Sequence, residues 1–281
     1  MARTSILTDS TSGLTPEEAS PLGIAIVPVN IQLDGHSFRE GVDLSAQEFY
    51  QQIAEGAKTL RTAPPTVRQF HDAFRALGAN SDEIVAIHVS SRLSGLTSVA
   101  RQAAQSYLGR TRITVIDSRM TATPLAWLAT AAAEAAAAGV DSAEIVRLLR
   151  AMMPHLYLAF FAESMEVIQG GGLIRRTAAV TATPPAAKPL LMIEEGEIVA
   201  LERSRSRGRP VDRLFEFVSE FSRLERITIL QGRPLPEALE LATMLNEEMP
   251  EQAVETRSYP PSVAAHIGTE ALGVAVYEGL R

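Results

Sequence analysis

The chain has no cysteine, few aromatic residues and no apolar run long enough to cross a membrane. Without cysteine among its 281 residues, it can form no disulfide, thiolate metal site or cysteine nucleophile. This composition is consistent with a reducing cytoplasm, and Met1 to Ser5 lack the apolar region of a signal peptide. The alanine-rich segment from Leu125 to Val140 is interrupted by Glu134 and is shorter than the ~18 residues of a membrane span. We therefore expect a cytoplasmic protein with no transmembrane segment.

Net charge and composition indicate a folded acidic protein. The formal net charge of -7 argues against broad nucleic-acid binding, which requires a basic face to displace counterions. Hydrophobic residues make up 46% of the chain, and the charges are well distributed. A chain of this length and composition is expected to bury a sizeable core.

Several enzyme signatures are also missing from the sequence. It contains no Walker-type phosphate loop, no dinucleotide fingerprint and no HExxH or similar metal spacing, so we expect neither a cofactor nor a metal. No GxSxG elbow surrounds Ser94. The histidines are scattered along the chain: His36, His71, His88, His155 and His266.

Apolar periodicity predicts two kinds of architecture in the two halves. Strand-like and helix-like segments alternate through the first half, which favours an N-terminal α/β domain with a mostly parallel sheet flanked by helices. In the second half, a hairpin around Glu195-Gly196 is mixed with helices, which indicates an α+β domain with a mixed sheet. We predict domains at residues 1–155 and 156–281, with a ligand site in the cleft between them.

Local patterns allow finer predictions. Ile24 to Leu33 is predicted to form one long strand, and Ser45 is predicted to be the N-cap of a helix, with Glu48 three residues later. Asp9-Ser10 and Asp117-Ser118 each follow a predicted strand. They are equally compatible with ligand binding at the carboxyl ends of parallel strands and with ordinary turn capping.

The most informative segment is the turn from Ser90 to Thr97. It joins a predicted strand, Ile84 to Val89, to a predicted helix, Leu96 to Leu108. Unpaired backbone N–H groups and the helix dipole favour an anion at such a place, and the serine and threonine hydroxyls add further donors. Ser94 by itself would more often be a helix N-cap than a ligand contact. Hydroxyl-rich turns in an apolar protein suit a mostly apolar ligand with a small polar head.

Several short motifs occur along almost the whole chain, in the order Thr8-Asp9-Ser10-Thr11-Ser12, Gly41-Val42-Asp43, Ser90-Ser91-Arg92-Leu93-Ser94-Gly95, Val115-Ile116-Asp117-Ser118, Gly171-Gly172-Leu173-Ile174, Pro189-Leu190-Leu191 and His266-Ile267-Gly268. Taken in this order, they resemble the motifs of the DegV-like family of bacterial fatty-acid-binding proteins. The resemblance implies one long-chain fatty acid between the two domains, with its tail in an apolar tunnel closed by the C-terminal domain. It further implies a binding protein, with no catalytic residue of its own.

The same resemblance implies roles for particular residues. Ser94 and Thr62 are expected to contact the carboxyl head through their hydroxyl groups. Arg205 and His266 match positions near the head group or at the contact with a partner. That partner is a fatty acid kinase, to which several family members present the bound acid for acyl-phosphate formation and phospholipid synthesis.

The chain departs from the family pattern in three places, and other functions stay open. Ala63-Pro64 replaces Ser-Gln after Thr62, Leu173 stands where an arginine is usual, and Thr269-Glu270 follows Gly268. The first change removes a hydroxyl donor from the head-group loop. One alternative is a serine-dependent acyl transferase or hydrolase, which requires His88 or His266 beside Ser94 with a carboxylate behind it. Another is a regulatory module that signals lipid binding to a partner.

Overall fold

The computed structural model describes residues 3–56, 60–170, 188–201 and 208–280, and within this part of the chain the residues cluster into two compact units. The N-terminal unit spans Met1–Pro154 and the C-terminal unit spans His155–Arg281. Each unit has its own sheets, and each is described separately below.

The N-terminal unit alternates strands with helices. Its strands are β1 (Thr4–Asp9), β2 (Ile24–Val27), β3 (Asn30–Leu33), β4 (His36–Arg39), β5 (Leu60–Ala63), β6 (Glu83–His88) and β7 (Arg112–Asp117). Its helices are α1 (Pro16–Ala19), α2 (Ala46–Ala54), α3 (Val67–Gly78), α4 (Leu96–Ser106), α5 (Ala122–Ala137) and α6 (Ser142–Met152).

Four of these strands form a parallel sheet in the order β2-β1-β6-β7. Ile84 to His88 on β6 are all buried, as expected of a strand covered on both faces. Helix α3 begins at a capping box of Thr66 and Gln69 and buries Phe70 and Phe74. Because the strands are parallel, the turns that follow β1, β6 and β7 lie at the same edge of the sheet.

A second, antiparallel sheet in this unit has the order β4-β3-β5. The prediction of one strand from Ile24 to Leu33 is wrong, because the chain leaves the parallel sheet at Pro28-Val29 and enters this second sheet as β3. Pro28 explains the interruption, since proline has no N–H to donate to a sheet. The short strands β4 and β5 were not predicted.

The C-terminal unit contains a mixed sheet in the order β10-β9-β8-β13-β11-β12, in which only β11 and β12 pair in parallel. Its strands are β8 (Leu156–Phe161), β9 (Leu190–Glu194), β10 (Glu197–Ala200), β11 (Arg226–Gln231), β12 (Val254–Ser258) and β13 (Leu272–Tyr277). The helices in the described part of this unit are α7 (Met165–Gly170), α8 (Pro210–Ser219), α9 (Pro236–Glu248) and α10 (Pro261–Ile267).

The core of the C-terminal unit lies between one face of this sheet and helices α8 and α9. It includes Phe161, Leu214, Ile229 and Leu241, each at most 5% exposed. The predicted hairpin is confirmed, since Glu195 and Gly196 join β9 to β10 with φ of 49° and 84°, the two positive values of a type I′ turn.

The predicted fold class is confirmed, because a mostly parallel sheet is followed by a mixed one. Among the helices that the structure describes, none combines the length and the apolar character that crossing a membrane would require. The placement of a lipid between the two units stays a prediction.

Candidate functional site

The polar turns of the N-terminal unit are joined to one another at the carboxyl edge of the parallel sheet. The N–H of Ser118, after β7, donates to the carbonyl of His88 at the end of β6, at 3.0 Å. The N–H of Ser90 in turn donates to the carbonyl of Met120 at 2.9 Å. The turns after β6 and β7 are therefore connected by hydrogen bonds between buried residues.

Asp9, at the end of β1, anchors the first of these turns from inside the protein. Its Oδ2 atom accepts hydrogen bonds from the backbone N–H of Val89 at 2.9 Å and from Nδ1 of His88 at 3.0 Å. Its Oδ1 atom accepts from the hydroxyl and the N–H of Thr11, at 2.6 and 3.1 Å. Asp9 is fully buried, and both of its oxygens bind donors of the protein itself. Its role is therefore structural: it holds the turn after β6 against the turn after β1.

Asp117 does the same from the end of β7. Its Oδ1 atom accepts from the N–H groups of Ser91 and Arg119, both at 3.1 Å. Of the two interpretations left open for Asp9-Ser10 and Asp117-Ser118, these contacts favour turn capping for both aspartates.

The hydroxyls of the Ser90–Thr97 turn divide into structural and accessible ones. The Thr97 hydroxyl is buried and donates to the carbonyl of Val89 at 2.7 Å. The Ser90 hydroxyl is buried and accepts from the N–H of Arg92 at 3.2 Å. Ser94 is half-buried, and its hydroxyl accepts from the N–H of Leu96 at 3.2 Å. Within the described residues no acceptor is found for the Ser94 hydroxyl hydrogen, which leaves it available to a ligand.

The start of α4 adds a second feature suited to an anion. Its N-cap is Gly95, which offers no side-chain oxygen to the N–H groups of the first turn. A carbon placed as a Cβ on Gly95 would meet no protein atom within 4 Å, so the space beside this backbone is open. The N–H of Leu96, the first residue of α4, is bound to the Ser94 hydroxyl, but the following N–H groups receive no oxygen from the N-cap side chain. Such N–H groups next to open space favour an anionic group of a ligand.

Thr62 lies on strand β5 rather than in a loop. It pairs with Ile31 on β3, is half-buried, and its side chain projects on the same face of the small sheet as that of Ile31. Thr62 and Ser94 therefore belong to the same unit but to different elements, one on a strand and one at a helix start. The predicted loss of a donor at Ala63 also falls on β5, where Ala63 pairs with Asn30.

The other two predicted residues lie elsewhere. His266 is half-buried in the last turn of α10, in the C-terminal unit. Arg205 and the departure at Leu173 fall outside the described residues.

The third departure from the family pattern is Thr269-Glu270, after Gly268. Glu270 forms ion pairs with Arg233 at 2.5 Å and with Lys188 at 3.5 Å, and the Arg233 guanidinium lowers the pKa of the Glu270 carboxyl. Glu270 thus connects the segment after Gly268 to Arg233 and Lys188.

His88 is one of two histidines, either of which could be the base that a serine-dependent acyl transferase or hydrolase needs beside Ser94. It has the carboxylate behind it that a catalytic base requires, because Nδ1 contacts Asp9 at 3.0 Å. Its Nε2 atom, however, is buried and has no hydrogen-bond partner, Ser94 included, among the described atoms. The ring lies edge-on to Phe70, with centroids 5.3 Å apart. His88 therefore does not activate Ser94 in this structure.

Two further features bear on the ligand class. No group of three His, Cys, Asp or Glu side chains within the described ranges could hold a metal ion.

The C-terminal unit has an open cavity of about 1240 Å³ between the β9–β10 hairpin and α8. Its lining includes the rings of Tyr157, Phe217 and Phe221, the cation Arg213, and four carboxylates: Glu194, Glu216, Glu220 and Glu278. This excess of negative charge disfavours an anionic head group there.

The fold and the turns together define a two-unit α/β protein whose N-terminal unit presents hydroxyl groups beside a helix start. The family model described as "Uncharacterised protein, DegV family" matches residues 3–279. The chain therefore belongs to the DegV family.

Individual members of the family resemble this chain in sequence and in structure. A DegV domain-containing protein of Deinococcus radiodurans is 32% identical over 216 residues, which cover 77% of this chain and 76% of the relative. The crystal structure of DegV from Bacillus subtilis, a fatty acid binding protein, has a TM-score of 0.88 at 22% identity and covers 99% of this chain and 100% of that one. A fatty-acid-binding DegV family protein from Thermus thermophilus has a TM-score of 0.86 at 24% identity, with 99% and 100% covered. At these identities, the two structures support the fold.

Proposed function

We propose that this chain binds one long-chain fatty acid and holds its carboxyl head through the hydroxyls of Ser94 and Thr62. The observation that carries the proposal is the available Ser94 hydroxyl at the start of α4, where the N-cap Gly95 offers no side-chain oxygen. Membership of the DegV family and the fatty acids bound by its solved members make a carboxylate the anion that fits. The protein is a binding protein, and its proposed location is the cytoplasm.

The energetics of such a ligand fit a site built mainly from hydroxyl groups. Burying each methylene contributes ~0.8 kcal/mol, so a sixteen-carbon tail supplies roughly 10 kcal/mol before the costs of ordering and association. The head group needs only to remain hydrogen-bonded, since an unpaired buried carboxylate is costly. Hydroxyl and N–H donors satisfy it without an ion pair.

Identification of the co-purified ligand tests this proposal. The protein is purified, extracted under denaturing conditions, and the extract analysed by mass spectrometry. We expect about one equivalent of a long-chain fatty acid per chain, in keeping with a single carboxylate site. Protein that yields no fatty acid, and still binds none when palmitate is offered, would refute the proposal. An unrelated protein purified in the same way controls for adventitious lipid.

We further propose that the loaded protein presents its carboxyl group to a fatty acid kinase, with Arg205 and His266 at the head group or at the kinase contact. Phosphoryl transfer requires a nucleotide and a metal, which the kinase would bring. Formation of acyl phosphate from the loaded protein, a fatty acid kinase and ATP-Mg²⁺ is the measurement. Arg205→Ala and His266→Ala are expected to slow acyl-phosphate formation more than they weaken lipid binding; unchanged rates in both variants would contradict these roles.

A further inference from the structure

Asp9, the last residue of β1, and Ser10, directly after it, form hydrogen bonds with two segments near the proposed head-group contacts. Asp9 accepts from the N–H of Val89, at the start of the turn that leads to Ser94. Ser10 accepts through its hydroxyl from the N–H of Val29, 2.8 Å away, just before strand β3. Both are buried, with Asp9 0% and Ser10 8% exposed. The turn after β1 therefore holds both the segment that leads to Ser94 and the segment that leads into β3.

Ser10 is part of a closed ring of hydrogen bonds with Val29 and Glu40. The Ser10 hydroxyl donates to Oε2 of Glu40 at 2.5 Å, and the N–H of Glu40 donates to the carbonyl of Val29 at 2.9 Å. The N–H of Val29 closes the ring at Ser10. Val29 and Glu40 are each 5% exposed. Because the Ser10 hydroxyl already donates once and accepts once inside the protein, it acts through the residues that it holds.

The ring fixes the beginning of β3, and β3 fixes Thr62. Val29 precedes Asn30, the first residue of β3, and the next residue, Ile31, pairs with Thr62 on β5. The side-chain Nδ2 of Asn30 also donates to the carbonyl of Pro64, 3.1 Å away, just after β5. The position of Thr62 relative to β1 therefore depends on Ser10 and Glu40.

We infer that Ser10 and Glu40 are positioning residues for the Thr62 side of the head-group site, separate from the Asp9 contact that supports the Ser94 side. This inference rests on the proposed function, because it concerns how the carboxyl head of the fatty acid is held. Neither residue touches the ligand. Displacing β3 by loss of the ring moves the Thr62 hydroxyl and leaves the Ser94 turn in place.

The test measures palmitate affinity of the full chain by calorimetry. Ser10→Ala is expected to weaken binding about tenfold, the equivalent of one hydrogen bond to a charged group. Ser12→Ala is the matched control, since Ser12 lies in the same short helical turn, is 2% exposed, and accepts from the N–H of Leu14 instead. It is expected to retain palmitate affinity within about twofold.

Double variants separate positioning from general destabilisation. In a Thr62→Val background, Ser10→Ala should cause no further loss of affinity, because the group that it positions is gone. In a Ser94→Ala background, it should still cause the full loss of about tenfold. Equal losses in both backgrounds, or no loss in the otherwise unchanged chain, would overturn the inference.

If Ser10→Ala does not fold, a less disruptive variant, Asn30→Ala, tests whether the position of β3 affects palmitate binding through Thr62. Asn30→Ala removes a hydrogen bond to Pro64 near the protein surface and should weaken palmitate binding about threefold, again only when Thr62 is present. Unchanged affinity in Asn30→Ala would then overturn the inference. If the unchanged chain binds no fatty acid at all, it is the proposed function that fails.

Discussion

Asp9 and Val89, eighty positions apart in the chain, share a buried hydrogen bond of 2.9 Å that ties the end of β1 to the turn after β6. The same carboxylate oxygen binds His88, and the other oxygen binds Thr11. Two strands that are neighbours in the sheet are thus joined beyond their last sheet hydrogen bonds. The turn that carries Ser94 is therefore attached at its beginning to the end of β1.

We expect Asp9→Asn to lower the free energy of unfolding by about 2–4 kcal/mol, because an amide presents an NH₂ group to donors that now bind a carboxylate oxygen. Urea denaturation measures the change. Asp117→Asn is the control, since both of its bonds go to one oxygen, which an amide retains. Equal losses in the two variants would contradict a special role for Asp9.

Loss of both proposed head-group hydroxyls should weaken fatty-acid binding without unfolding the protein. For Ser94→Ala combined with Thr62→Val, we expect palmitate affinity to fall by at least about tenfold, with a thermal midpoint close to that of the unchanged chain. Ser98→Ala removes an exposed hydroxyl from the same helix and should leave affinity unchanged. An unaltered affinity in the double variant would show that the carboxyl head binds elsewhere.

Gly95→Ala should weaken palmitate binding without lowering the stability of the protein. Gly95 has φ of -69° and ψ of -5°, which alanine adopts without strain, and no protein atom lies within 4 Å of the added carbon. We expect an unchanged thermal midpoint but weaker palmitate binding, because the methyl group enters the space beside the α4 start. Full affinity would mean that the ligand does not approach this backbone.

In the loop between β4 and α2, the ion pair between Arg39 and Asp43 should be lost at low pH. Hydrogen bonds from the Arg39 side chain and N–H lower the pKa of Asp43 from its ordinary 3.8 to about 2. Since the folded-state pKa lies below the ordinary value, the stabilisation is fully present above about pH 4 and is lost as pH falls through about 2. NMR titration of the Asp43 carboxyl measures this pKa, and Arg39→Ala should return it toward 3.8. An Asp43 pKa that stays near 2 in Arg39→Ala would contradict this cause.

Sequence patterns predicted those elements whose signals are local. The helix after Ser45 has the capping box with Glu48, and the β9–β10 hairpin turns at Glu195-Gly196, both as expected. The strands β4 and β5 were missed, because each has only four residues and each is held by pairing with β3. The break at Pro28 was missed because apolar residues continue on both sides of it.

For the candidate site, the sequence alone determined that a hydroxyl-rich turn follows an apolar strand and precedes a helix. It also placed the chain near a family of fatty-acid-binding proteins through short motifs in a set order. These properties depend on residue type and spacing, which the sequence contains in full.

Tertiary structure alone decided which of those hydroxyls remain for a ligand. The Thr97 hydroxyl donates to the carbonyl of Val89 and the Ser90 hydroxyl accepts from the N–H of Arg92, while the described part of the chain offers no acceptor to the Ser94 hydroxyl hydrogen. The order of the strands also brought Glu40 to Ser10 across thirty positions and His88 to Asp9 across seventy-nine. Such contacts depend on which strands become neighbours in a sheet, and no local periodicity encodes that choice.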